Sequence, residues 1–312
     1  MTARNAGIKR RRALFALAAA SLFAAAAVPP PRPRPAGDTH SLPLAGSPVE
    51  LVFRAVQPGE PLLAVLRDDP GVKRVVLRVR GADYVLGAAE KGGRPFALIG
   101  IDVQAKIEPL SLRVTEEKAD GSVAQFEEAL AVEPREFPRL RLNVAEEMLN
   151  PPAQEQERVQ REAELTQAVF DIDTPEWLGT GPFRSPLPGH EPFPNFGQLR
   201  IYNKSRQSVH AGVDIGAPWG APVAASNAGR VVLASNLYLS GGTVIIDHGR
   251  GVFTFYCHFS RILVKRGALV AAGQTIGRVG NTGRSTGPHL HWAVRIRDVR
   301  VDPFSLVDLP LE

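Results

Sequence analysis

The chain has 312 residues, 44% hydrophobic and 22% charged, a composition that excludes wholesale disorder and a length that suits about two domains. The net charge of +5 is uneven: residues 200–312 hold 13 Lys/Arg against 6 Asp/Glu, so the C-terminal part is basic and suits an anionic partner. The single cysteine, Cys257, excludes an intrachain disulfide and a zinc knuckle built from thiolates.

At the N-terminus, Arg4 and the run Lys9 to Arg12 precede sixteen small and apolar residues, Ala13 to Val28, that end in alanines before Pro29. A basic start, a short apolar stretch and an alanine exit predict an export signal over 1–28. Sixteen residues rising about 1.5 Å each reach roughly 24 Å, short of a hydrocarbon core of about 30 Å, so no stable membrane span is expected in the mature form. A Pro-rich spacer is predicted over 29–44.

Residues 45–145 alternate short strands with turns, as 29 Gly and 27 Pro in the chain suggest. Strands are expected at Leu51–Val56, Lys73–Arg80, Phe96–Ile101, Leu110–Thr115, Ser122–Val132 and Arg139–Val144. Leu110, Leu112 and Val114 share one face, as do Leu140, Leu142 and Val144. The prediction is a β-sandwich-like domain without a catalytic cluster. Over 150–171 the pattern changes to one amphipathic linker helix, opened by Pro152, with Val159, Ala163, Thr166 and Phe170 on one face. The Pro- and Gly-rich coil 179–196 is too long for a simple connector and is expected to wall a groove.

Chemistry gathers after residue 200, in HAGVD (210–214), YCH (256–258) and HLH (289–291). Glycines and Pro218 around the first motif argue against a helix, and on extended backbone residues an even number apart share a face. That parity joins His210 with Asp214, His289 with His291, and Tyr256 with His258, and it turns Phe253, Phe255 and Cys257 the other way. Cys257 is therefore expected to point away from the cleft into the core. Two imidazoles and a carboxylate suit a catalytic Zn²⁺ with one open position, and further imidazoles suit proton transfer. His248 reads as part of a structural hairpin turn, His190 as loop surface. The loop Asn281 to Pro288 lacks the lysine and helix of a phosphate-binding loop and reads as the support of His289 and His291.

The stretches HAGVDIGAPWGAPVAA (210–225), GRVV (229–232), GGTVIIDHGRGVFTFYCHFS (241–260), VKRGALVAAGQTIGRVGNTGRSTGPHLHW (264–292) and VDP (301–303) resemble the lysostaphin-type (LytM-like) zinc metallopeptidases of the M23 peptidase family. The chain also resembles a subgroup with an N-terminal all-β domain and a connecting helix. The resemblance implies a mainly β protein: a β-sandwich-like domain, a connecting helix and, over 179–312, a C-terminal antiparallel β-sheet peptidase domain. It implies one Zn²⁺ per chain held by His210, Asp214 and His291, with His258 and His289 catalytic and not ligating. One of those two would accept a proton from a zinc-activated water and the other would help to stabilise the oxyanion.

The function this implies is an exported zinc metalloendopeptidase hydrolysing peptide cross-links of peptidoglycan, in the periplasm or envelope of a Gram-negative bacterium. Its partners would be stem peptides, with no nucleic acid. The competing expectation is a non-catalytic envelope protein that binds peptidoglycan or activates an amidase.

Overall fold

The computed structural model describes residues 38–67, 69–86, 93–143, 149–203 and 206–311. The expected export signal and residues 29–37 of the expected spacer lie outside them. Strands β1 (His40–Pro43), β2 (Val49–Phe53), β3 (Pro61–Leu66), β4 (Val72–Val79), β5 (Ala82–Leu86), β6 (Phe96–Gly100), β7 (Leu110–Lys118) and β8 (Val123–Leu130) form two four-stranded antiparallel sheets, β1-β2-β3-β6 and β5-β4-β7-β8. In β7 the alternation holds: Leu110, Leu112 and Val114 are buried, and Leu112 and Val114 lie opposite Val79 and Leu77 of β4. They share a core with Leu62, Ala64 and Ile99 of the other sheet.

Strand β3 was not expected, and its burial explains why. Leu62 and Ala64 enter the sandwich core while Leu63 and Val65 enter a second core with Leu98, Trp292 and Val301. A strand buried on both faces reads as a continuous apolar run with no period of two. The short β1 and β5 were also not expected, and β1 falls inside the stretch read as spacer.

Strand β9 (Arg139–Leu142) leads toward helix α1 (Ala153–Phe170). The expected last residue of this strand, Val144, lies outside the described residues. Pro152 sits just before the helix, where its missing N–H costs nothing. Of the expected face, Val159, Thr166 and Phe170 are half-buried, Phe170 against Phe253, while Ala163 is exposed; Val169 is the residue fully buried, against Phe253 and Ile245. Glu162 also turns inward, accepting the Tyr238 backbone N–H at 2.6 Å.

Then follow β10 (Leu199–Tyr202), β11 (Arg206–Val209), β12 (Val213–Gly216), β13 (Pro222–Ala224), β14 (Gly229–Leu237), β15 (Gly241–Asp247), β16 (Val252–Phe259), β17 (Arg261–Ile262), β18 (Leu269–Val270), β19 (Thr275–Arg278), β20 (His289–Ile296), β21 (Val299–Val301) and the short helix α2 (Pro303–Val307). An antiparallel sheet runs β12-β20-β16-β15-β14-β18, with β21 added to β20. A small sheet β13-β19-β17 stands apart, and β9 joins β10 in parallel, with Leu140 opposite Arg200.

One face of the main sheet is closed by Val244, Ile246, Tyr256 and Trp292. On the opposite face, α1 covers Ile245 and Phe253, and the rest of that face is left as a groove. Between the β1–β8 sheets and the segment that follows β21, the Arg135 guanidinium bridges Glu60 and Asp302 at 3.1 Å each. Both carboxylates are almost fully buried, and burial raises their pKa. Among the described residues no helix is long and apolar enough to cross a membrane.

Candidate metal centre

Three elements deliver the central trio. Asp214 on β12 lies directly across from His291 on β20, so their side chains leave the same face of adjacent strands. His210 closes the set from the turn before β12, where Gly212 is required. A Cβ on Gly212 would stand 2.7 Å from the Trp292 carbonyl oxygen and 2.8 Å from the His291 ring. The Oδ1 of Asp214 lies 3.1 Å from His210 Nε2 and 2.9 Å from His291 Nδ1, and those two nitrogens are 3.0 Å apart.

The donor chemistry of this trio fits a cation. His210 Nδ1 lies 2.8 Å from the Asn195 carbonyl oxygen, which can only accept, so Nδ1 carries the proton. His210 Nε2 is thereby left to face a carboxylate oxygen and a second imidazole. Three ligand atoms, His210 Nε2, Asp214 Oδ1 and His291 Nδ1, lie within about 3 Å of one another, a set that suits a divalent ion taking two imidazoles and one carboxylate.

Asn195 and Arg200 were missed from sequence. Asp214 Oδ2 accepts hydrogen bonds from Asn195 Nδ2 at 2.9 Å and Arg200 Nη2 at 3.0 Å, leaving Oδ1 to the trio. The Asn195 side-chain oxygen accepts the Asp214 backbone N–H at 3.1 Å, so one asparagine grips both His210 and Asp214. Asn195 ends the coil expected to wall a groove. The coil runs beside β12, with the Phe193 N–H donating to the Asp214 carbonyl at 2.8 Å.

His258 and His289 stand on the other side of the trio, ring centroids 4.8 Å apart. His258 Nδ1 donates to the Thr282 carbonyl and His289 Nδ1 to the Gly287 carbonyl, both at 2.8 Å. Both rings are thus tethered by the 281–288 loop with Nε2 free, and His289 Nε2 lies 3.7 Å from Asp214 Oδ1. The loop is seated against Gly241, where a Cβ would meet the Thr282 carbonyl oxygen at 2.5 Å.

Strand parity holds through Cys257, which shares a face with Phe255, but that face is the groove, so the prediction that Cys257 points away from the cleft is corrected. Cys257 pairs with His291 across β16 and β20, so it shares the groove face rather than pointing away from it. It forms a buried part of the groove lining, and burial, with the nearby Asp214 charge, pushes its thiol well up. His258, the next residue, reaches the same cavity because its backbone is left-handed (φ 65°), which breaks the alternation.

The electrostatics sort the groups. Burial works to raise the Asp214 pKa, but the His210 and His291 rings outweigh it and hold the carboxyl well below its usual range. Burial drives His258 down to about 4, the neighbouring imidazoles adding to the shift, so it is neutral at pH 7. Burial also lowers His291, against the pull of Asp214. His248 lies elsewhere, fully buried, bonded to the Ala228 carbonyl at 2.7 Å and Thr254 Oγ1 at 2.8 Å. His190 does not line the cavity, and its Nδ1 faces the Pro188 carbonyl at 3.4 Å. The cavity around the trio has a volume of about 410 Å³ and is bordered by Leu140 and Leu142. The alternation of β9 thus serves the groove rather than a core.

The sequence profile of Peptidase family M23 matches residues 208–303, which include His210, Asp214, His258, His289 and His291. The peptidoglycan DD-endopeptidase ShyA of Vibrio cholerae is 44% identical over 104 residues, 33% of this chain and 24% of its own. The DD-carboxypeptidase/endopeptidase Mpg of Neisseria meningitidis serogroup B is 44% identical over 98 residues, 31% of this chain and 23% of its own. The chain spans about a quarter of the length of these curated relatives. A crystal structure from Pseudomonas aeruginosa assigned to peptidase M23 aligns over 82% of this chain and 96% of that one, at 28% identity and a TM-score of 0.60. The shared fold therefore reaches well upstream of the segment the profile matches.

Proposed function

For a chain that belongs to peptidase family M23 through residues 208–303, we propose an exported zinc metalloendopeptidase that hydrolyses peptide cross-links of peptidoglycan. The observation that carries this reading is the 2.9–3.1 Å convergence of His210, Asp214 and His291 beside two imidazoles tethered by their Nδ1 atoms. The names of the relatives, peptidoglycan DD-endopeptidases among them, support the substrate class.

His210 Nε2, Asp214 Oδ1 and His291 Nδ1 would hold the ion. Zn²⁺ bound there supplies Lewis acidity toward a peptide carbonyl and brings the pKa of a water toward about 7. The remaining work belongs to the chain. Asn195 and Arg200 orient the Asp214 carboxylate, and the Asn195 carbonyl fixes the His210 tautomer. His258 and His289, each with Nδ1–H committed to a backbone carbonyl, present Nε2 to the reacting atoms. One would accept a proton from the attacking water, and the other would help to stabilise the developing oxyanion.

The division into a signal at 1–28, a spacer at 29–44, a β-sandwich-like domain at 45–145, a linker helix at 150–171 and a peptidase domain at 179–312 belongs to the same proposal, as does a Gram-negative envelope location. The test is to load the mature chain with zinc, incubate it with peptidoglycan and read the products by mass spectrometry. Cleaved stem-peptide cross-links, lost on chelation and in His291→Ala, are expected. Tight binding without cleavage by zinc-replete protein would turn the assignment to a binding or amidase-activating protein.

A further inference from the structure

The face of β20 that carries the proposed metal site continues past it. His289, His291, Ala293 and Arg295 leave the strand on one side, each two residues from the next. From His291 to Arg295 the strand rises about 13 Å. A second cavity of about 180 Å³ adjoins the first, with Phe255 and His291 lining both. Ala211 and Ala293 keep this trough open, Thr166 and Phe170 of α1 wall one side, and Arg295 and Arg300 stand at the far end.

The charges at that end do not balance. Arg295 and Arg300 lie directly opposite each other on β20 and β21, a like-charge pairing that costs stability unless something offsets it. Arg300 is satisfied: its Nη2 donates to Asp102 Oδ1 at 2.6 Å and to Gln104 Oε1 at 2.9 Å, and its Nε donates to Asp102 Oδ2 at 3.0 Å. The Arg295 guanidinium stacks on the Phe170 ring, 4.3 Å from its centroid. Among the described residues it makes no hydrogen bond or ion pair. It is also half-buried, and burial, then the Arg300 charge, push its pKa down against the pull of Asp102 and Asp298. A rigid guanidinium held by an aromatic ring, partly desolvated and unpartnered, offers its fork to an anion.

We infer that this trough is a substrate subsite in which Arg295 receives a free carboxylate of the bound peptide, three or four residues from the bond that is cut. The spacing follows from about 3.3–3.6 Å per extended residue laid along β20. The identity of the ligand rests on the peptidase reading above; the anion site itself rests on Arg295 and its surroundings.

The experiment uses two soluble muropeptide dimers, one with free peptide carboxylates and one with those groups amidated. Each is titrated into the full chain without zinc and then supplied to the zinc-loaded chain as substrate. The unaltered chain should bind the acid dimer about tenfold more tightly than the amide, the scale of one charge-assisted hydrogen bond. Arg295→Gln should remove that preference, raising Kd and KM for the acid dimer about tenfold with kcat within about twofold, and Arg295→Lys should fall between. Equal affinity of the unaltered chain for the two dimers overturns the subsite, and this comparison needs no folded variant. An unchanged preference in Arg295→Gln overturns it as well. If zinc-loaded protein cuts neither dimer while zinc-free protein still prefers the acid, the peptidase reading fails and the anion site stands.

Discussion

The two bodies of this molecule use antiparallel sheet in different ways. In β7 and β8 the faces are unequal: alternate residues are buried in β7 and half-buried in β8, and outward ones carry charges that pair across strands, as Arg113 does with Glu127 at 2.7 Å. In β15 and β16 almost every position is buried, because the main sheet has a core on one face and α1 plus the groove on the other. A polar side chain on the first kind of surface has water as its alternative partner. On the second kind it must find a partner in the protein or carry a function. The trio, His258 and His289 all belong to the second body, whereas the first body shows surface ion pairs. The difference also bears on rigidity, since a site on strands held from both sides keeps its geometry.

The largest expected effect tests whether the second body owns the chemistry. His291→Ala removes one of three proposed ligands and should abolish both stoichiometric zinc binding, measured by metal analysis, and peptidoglycan cleavage. Leu77→Ala, in the core of the first body, should cost about 2–5 kcal/mol in denaturant unfolding. A refolded sample of that variant should nonetheless keep one zinc per chain. Loss of zinc in Leu77→Ala at temperatures where it is folded would break the distinction between the bodies.

Acid should distinguish them next. Burial lowers His248, beneath the main sheet, to about 4 from a usual 6.5. Between those values the unfolded chain takes up a proton that the folded chain refuses, so stability falls as pH drops from about 6.5 to 4 and this loss is complete below that window. The full shift corresponds to about 3 kcal/mol. Denaturant unfolding of zinc-free protein at pH 7 and pH 4.5 should show a smaller acid loss in His248→Asn than in the unaltered chain. Equal losses would mean that His248 is not the buried neutral group described above.

A smaller effect concerns Asn195, which touches two proposed ligands and no reacting atom. Asn195→Ala should weaken zinc binding about 10- to 100-fold in a chelator competition, with little change in the melting of the zinc-free chain. Arg200→Met should behave likewise, since Asp214 Oδ2 then loses one of its two donors. Unaltered zinc affinity in both would show that these contacts support the loop and not the metal site.

These residues also show what a sequence can reveal. His289 and His291 were legible as a pair because even spacing puts both on one face of an extended strand, whereas the joining of His210 and Asp214 to them was legible through the resemblance to the M23 peptidases, since His210 lies in a turn. Asn195 sits in coil, where spacing says nothing about direction, and its only signal was that the coil was too long to be a connector. His258 defeated parity because its own left-handed backbone at the end of β16 brings it to the groove, whereas Cys257 kept the parity of Phe253 and Phe255 and it was that face, not the opposite one, that proved to line the groove. Strand β3 was illegible for the opposite reason: burial on both faces erases the alternation that marks a strand. The charged, one-sided strands of the first body were easier to place than the strands that carry the site.

The smallest effect is expected where charge is most visible. Arg113 and Glu127 form a 2.7 Å ion pair, but their side chains are 52% and 64% exposed. In water the attraction is screened, and holding two long side chains in one geometry costs entropy, so an exposed pair of this kind contributes about a few tenths of a kcal/mol. Arg113→Ala and Glu127→Ala, singly and together, should therefore shift the unfolding midpoint hardly at all, and 0.5 M salt should erase any coupling in the double-mutant cycle. Zinc content and cleavage should stay at the unaltered level. A coupling that survives salt would mean that this face is less open to water than its exposure indicates, and the contrast between a solvated sheet and a doubly buried one would then have to be redrawn at β8.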